Sequence, residues 1–95
     1  MAADKLVEEW FALTRETLPK MAKARDWPVR FDHCFQRILL DNAVGAKWRD
    51  VIGAPAYRHA SDAQLRAAVD LGIDVIEGRA DLHALNRNSL GWRGK

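Results

Sequence analysis

Apolar side chains recur every three or four residues through almost the whole of this chain, and no stretch alternates one in two. That spacing matches the 3.6-residue turn of a helix and not the two-residue pleat of a strand. A chain patterned in this way has no sheet to build and must bury helix stripes against other helices. The pattern predicts an all-α fold, a compact bundle of four to five helices. Ninety-five residues hold one core, so residues 1–95 are expected to form a single helical domain.

Glycine and proline mark the breaks. The first helical segment spans about Asp4 to Ala24, with Asp4 as cap. Leu6, Trp10, Leu13, Thr17 and Met21 form its stripe, widened by Val7, Phe11 and Leu18. Pro19 lies inside this pattern and cannot donate a backbone hydrogen bond. Helix 1 is therefore expected to kink or restart near Pro19, with Thr17 as the new cap. An extended Trp27-Pro28-Val29 leads to a second helix, capped by Asp32 and running from His33 to about Val44. Phe31, Cys34, Phe35, Ile38 and Leu39 form its expected buried face, and Gly45 ends it. A short piece, 46–52, turns Trp48, Val51 and Ile52 inward.

The third helix has the strongest local signals. Ser61 and Gln64 have capping-box spacing, and Leu65, Ala68, Val69, Ile73 and Ile76 follow as a stripe, flanked by Leu71 and Val75. Gly78 stands where a left-handed residue stops a helix, and Gly72 offers a place for another helix to come close. A fourth helix is expected over about Ala80 to Arg87, with Leu82 and Leu85 inward. The tail 88–95 has no clear period.

Composition narrows the function classes. The chain is 48% hydrophobic and 29% charged, which suits a globular domain rather than a disordered one. Its single cysteine, Cys34, can form no internal disulfide, the first ten residues lack an unbroken apolar run, and no segment is apolar enough to span a bilayer. A cytoplasmic location without membrane association is the expectation. Net charge is only +2, but residues 79–95 carry Arg79, Arg87, Arg93 and Lys95 against Asp81 alone.

Few residues point to chemistry. His33 and Cys34 are neighbours and diverge by about 100° on a helix, while His59 and His83 stand apart, so no metal site is expected. Cys34 lies on the apolar stripe, where burial disfavours a reactive thiolate. No catalytic residue and no cofactor is assigned. The polar set Asp32, His33, Arg37, Asp41 and Asn42 is denser than an amphipathic helix requires. It reads either as an Arg37 ion pair reaching Asp50 or Asp70, or as the floor of a pocket for a small ligand or a partner's charged group. Four tryptophans include Trp92, set among glycines and arginines in the tail. Trp92 either covers the bundle or serves as an exposed hot spot, with Asn86, Arg87 and Arg93 beside it. Nucleic-acid binding through this basic tail is an alternative. The third helix argues against helix-turn-helix docking, because Asp62, Asp70, Asp74 and Glu77 outnumber Arg66.

The run Trp27-Pro28-Val29-Arg30-Phe31-Asp32-His33-Cys34-Phe35-Gln36-Arg37-Ile38-Leu39-Leu40-Asp41-Asn42 resembles a small family of short microbial proteins. The ending Leu85-Asn86-Arg87-Asn88-Ser89-Leu90-Gly91-Trp92-Arg93-Gly94-Lys95 is similar to that family's ending. Some members are identified as GNAT-type N-acetyltransferases. The resemblance implies no established activity, and the label offers only an alternative, a member or subunit of a GNAT-labelled acyltransferase. GNAT enzymes hold the acetyl-CoA pyrophosphate on a Gln/Arg-x-x-Gly-x-Gly/Ala loop between a strand and a helix. No glycine of this chain has that context, so no GNAT residue carries over.

The reading that the residues favour is a small helical interaction or ligand-binding module rather than an enzyme. Its contact surface is Asp32, Arg37 and Asp41 together with the tail from Asn86 to Arg93. Partners are a protein, a small ligand or a second copy in a homodimer. Leu18, Leu40 and Leu71, off the main stripes, are available for self-association.

Overall fold

A computed structural model describes residues 4–94; Met1, Ala2, Ala3 and Lys95, the end of the basic tail, lie outside the described residues. Six α-helices follow one another: α1 (Asp4–Ala12), α2 (Leu18–Ala24), α3 (Asp32–Val44), α4 (Ala56–His59), α5 (Asp62–Ile76) and α6 (Leu82–Trp92). A π-helical turn, Leu13–Thr17, joins α1 to α2, and a 3-10 turn, Trp48–Asp50, follows α3. The described residues contain no strand, so the all-α bundle expected from the apolar spacing is the fold.

Pro19 leaves its mark one turn early. The chain stays helical through Thr17, which makes no side-chain cap, and the Leu18 amide donates to the Leu13 carbonyl five residues back. The wider turn makes room for the pyrrolidine ring beside the preceding carbonyls, and the α pattern resumes with the proline in its first turn. Thr14, fully buried in this turn, donates its hydroxyl to the Trp10 carbonyl at 2.9 Å and accepts from Gln36 Nε2 at 3.0 Å. A buried hydroxyl is thus satisfied by two partners, and one of them ties α3 to the turn.

Helix α3 is the hub. It packs against α5, α6, α2 and both turns. Leu39 faces α5, where a β-carbon on Gly72 would lie 3.2 Å from Leu39 Cδ1 and 2.5 Å from Leu13 Cδ2. Glycine is the residue that lets three elements meet at that point. Trp10, Leu18, Phe35, Ile38, Leu39, Leu65 and Val69 fill the core around it. Burying each such side chain is worth about 1.5–3 kcal/mol before chain entropy is counted.

Helix ends follow the local signals. The Gln64 amide donates to Ser61 Oγ at 3.1 Å, the Ser61 amide donates to Gln64 Oε1 at 2.9 Å, and Gly78 is left-handed at φ 79°. Gly45 closes α3 at φ 72°.

Several expectations require correction. Asp32 is the first residue of α3 rather than its cap, and Phe31 holds the extended cap position. Phe31 is 65% exposed instead of buried, stacked on the His33 ring at 5.9 Å, and Val51 is 52% exposed. Cys34 is half-buried. Helix α6 begins after Asp81, which accepts from the His83 amide, and runs to Trp92, well beyond Arg87. Leu18 and Leu40 are buried in the core and Leu71 packs against it, so these three do not form a free surface for a second copy. Among the described residues, no helix is long and apolar enough to cross a membrane, and no group of three metal-ligating side chains comes together.

Candidate functional site

The polar face of α3 meets α6, and hydrogen bonds of Arg37, Asp41 and Asn42 cross the contact. Asp41 lies at its centre with no exposed surface. Its Oδ2 accepts from Ser89 Oγ at 2.6 Å and from Arg93 Nε at 2.7 Å. Its Oδ1 accepts from Arg93 Nη2 at 3.0 Å and from the Trp48 amide at 2.9 Å. Burial pushes the Asp41 carboxyl up, but these hydrogen bonds and the Arg93 charge outweigh it and hold the group below its ordinary value of 3.8. The hydrogen bond to Asp41 in turn raises Arg93 above its ordinary value.

Arg37 extends the network. Its Nη1 donates to Ser89 Oγ at 2.6 Å and its Nη2 to Asn86 Oδ1 at 2.9 Å. Ser89 therefore accepts a hydrogen bond from Arg37 and donates its own to Asp41. Asn42 Nδ2 donates to the Ile38 and Leu85 carbonyls, and Asn88 donates to Asn42 Oδ1 at 3.2 Å. Among the described residues no buried side-chain polar atom lacks a partner. Of the sequence-derived candidates, Arg37, Asp41, Asn86 and Arg93 come together here. The Arg37 side chain is held by neutral groups, not by Asp50 or Asp70.

The other candidates lie elsewhere. Asp32 is exposed and accepts from the His33 amide at 2.8 Å. His33 Nδ1 stands 3.5 Å from Asp32 Oδ1. Arg87 is exposed and its side chain makes no hydrogen bond among the described residues. Trp92, at the end of α6, is 41% exposed and makes no ring contact.

Beside the network opens a cleft of about 690 Å³. Arg37 and Arg93 reach it from α3 and the end of α6, Arg15 from the π turn, and Arg49 from the 3-10 turn, with His33 at its edge. Its apolar lining is Trp10, Phe11, Leu40, Trp48, Tyr57 and the segment 54–56, with Trp10 and Leu40 themselves almost fully buried. No aspartate or glutamate lines it. The Arg15 guanidinium lies over the Phe11 ring, 3.8 Å from its centroid, and the Arg49 guanidinium lies 5.3 Å from the Trp48 centroid. Tyr57 meets Phe11 edge to face at 5.3 Å. Neither Cys34 nor Asp41 joins His33 in lining the cleft.

No family model matches this chain, and neither a curated protein nor a solved structure is similar enough to match. Among the described residues, Arg15, Arg37 and Arg49 form no ion pair, and only Arg93 is neutralised, by Asp41. A second cavity of about 600 Å³ is the contrast. Lys5 and Arg66 face Glu9 and Asp62 there, and Arg66 pairs with Glu9 at 2.9 Å, so its charges balance.

Sequence reading missed Arg15, Arg49 and Ser89. Arg15 follows Phe11 by four residues, the spacing that stacks neighbours on a helix, and Arg49 adjoins Trp48. Both aromatic–arginine pairs are visible in the sequence. What brings them to one cleft is the packing of the π turn and the 3-10 turn on α3.

Proposed function

We propose that this protein is a ligand-binding module whose arginine-lined cleft takes a small organic anion with a flat, apolar body. One observation carries this reading: four arginines converge on a single concave surface that contains aromatic rings and no carboxylate. Arg15, Arg37 and Arg49 have no ion-pair partner among the described residues, and guanidinium groups gathered in this way attract carboxylate or phosphate, for which their planar donor edges are suited. The cleft volume falls in the range usual for small-molecule sites.

Asp41 supports binding over catalysis. Its carboxylate oxygens are occupied by four hydrogen bonds and its acidity is raised, so it is a poor proton carrier near neutral pH. The tail has less to offer nucleic acid than its sequence suggests, because Arg93 is committed to Asp41.

Thermal unfolding in the presence of matched pairs of aromatic anions and their neutral amides tests the reading. Anions are expected to raise the melting temperature in a concentration-dependent way, and amides to leave it unchanged. Equal shifts from both members of a pair, or none from any anion at millimolar concentration, would discard the proposal.

A further inference from the structure

We infer that the ligand's anionic head is a phosphate monoester rather than a carboxylate, attached directly to a planar ring system. This rests on the ligand-binding reading above and makes it more specific. A carboxylate presents two oxygens and one charge, which one guanidinium fork can satisfy. The cleft holds three arginines without an ion-pair partner among the described residues, besides Arg93, which keeps Nη1 free of Asp41. A single carboxylate would leave most of that charge unanswered. A phosphate monoester carries about −1.5 to −2 charges at neutral pH and three terminal acceptor oxygens.

The donors are arranged for such a head. Arg15 and Arg49 lie over aromatic rings, and neither side chain spends a donor on a hydrogen bond or ion pair among the described residues. Arg37 spends one hydrogen bond on Ser89 and one on Asn86, so its guanidinium is fixed in place with donors remaining. Phe11, Trp48 and Tyr57 supply the surface against which a ring would lie. The four arginines are gathered in one cleft of about 690 Å³, a volume on the scale of a small molecule. A free small phosphoester is the occupant that this layout fits.

Isothermal titration of the full chain at pH 7.5 and low salt, with 2-naphthyl phosphate, 2-naphthoate and inorganic phosphate, tests the inference. Naphthyl phosphate is expected to bind about tenfold or more tighter than naphthoate, and inorganic phosphate more weakly than either aromatic probe. In the Arg15→Gln/Arg49→Gln double variant, confirmed as folded by its helical far-ultraviolet spectrum, the preference for phosphate over carboxylate is expected to vanish. Naphthoate binding as tightly as naphthyl phosphate overturns the inference and leaves the ligand-binding reading standing. Inorganic phosphate binding as tightly as its naphthyl ester removes the planar ring from the inference. A preference that survives in the double variant shows that these arginines do not make it, and overturns the inference. Failure of both aromatic probes to bind at millimolar concentration removes the inference and the underlying reading together.

Discussion

Helix α3 presents two opposite faces to two neighbours, and the two contacts are built from different physics. Towards α5 it offers Leu39, which approaches the glycine backbone at Gly72 in an apolar seam. Towards α6 it offers Arg37, Asp41 and Asn42, each bonded to named atoms on the partner helix. Apolar contact is nearly non-directional, so the α5 seam contributes burial and tolerates small shifts. The α6 seam has one arrangement that satisfies its donors and acceptors, so it fixes the register of α6 and the position of Arg37 and Arg93 at the cleft. One helix thus joins a seam that holds the fold together to a seam that shapes the site.

Removing the centre of the polar seam is expected to have the largest effect. Asp41→Ala leaves Arg93, Ser89 and the Trp48 amide without their acceptor, and the Arg93 side chain is only 19% exposed. Deleting one partner of a buried ion pair costs about 3–5 kcal/mol, and the partial exposure of Arg93 places this case near 3 kcal/mol. Urea unfolding measures it directly. A loss below about 1 kcal/mol would mean that the α6 seam adds little to stability.

The same carboxylate sets an acid limb. Its folded-state pKa lies below the ordinary 3.8, so its contribution is fully present above that value and is lost as pH falls through the folded pKa. Stability is expected to begin falling as pH approaches 3.8 from above and to keep falling beneath it. Unfolding free energies of the wild type and Asp41→Asn between pH 6 and pH 3 should converge towards the acid end. Parallel curves would remove Asp41 as a source of the slope.

The apolar seam answers to volume instead. Gly72→Ala gains helix propensity of up to about 1 kcal/mol, but its β-carbon would meet Leu13 Cδ2 at 2.5 Å inside the core. Overpacking costs about 1–3 kcal/mol, so a net loss near 1 kcal/mol is expected by chemical denaturation. A more stable variant would show that Leu13 moves aside freely and that the glycine is not needed for the approach.

The contrast also explains what the sequence disclosed. The Ser61–Gln64 capping box, the Gly78 stop and the close approach at Gly72 were legible because each depends on neighbours within a turn or on a stripe of regular period. The polar seam was only half legible. Arg37, Asp41, Asn86 and Arg93 stood out as an excess of polar groups, but Arg93 is 52 residues from Asp41, and no local pattern signals that partnership or the burial it permits. The last turns of α6 escaped for a related reason. Asn88, Ser89 and Gly91 are weak helix formers, and the face they accompany is buried through hydrogen bonds rather than an apolar stripe. Phe31 misled because it extends the stripe of α3 by spacing, yet it sits just outside the helix and stacks on His33 in solvent.

The smallest expected stability effect belongs to residues in neither seam. Arg15 and Arg49 are exposed, lie on aromatic rings and have no ion-pair partner among the described residues. A cation–π contact at an exposed site contributes about 0.5–1 kcal/mol, and relief of repulsion among the cleft arginines works against that loss. Each single change to glutamine is therefore expected to move the unfolding free energy by no more than about 0.5 kcal/mol. Low salt sharpens the measurement, because like charges crowded around the cleft repel most strongly when screening is weak. A variant that gains stability at low salt and loses the gain at high salt would identify the cleft as a place where the fold keeps uncompensated charge. A loss above about 1 kcal/mol at either salt concentration would instead make these arginines structural, like Arg37 and Arg93 in the α6 seam.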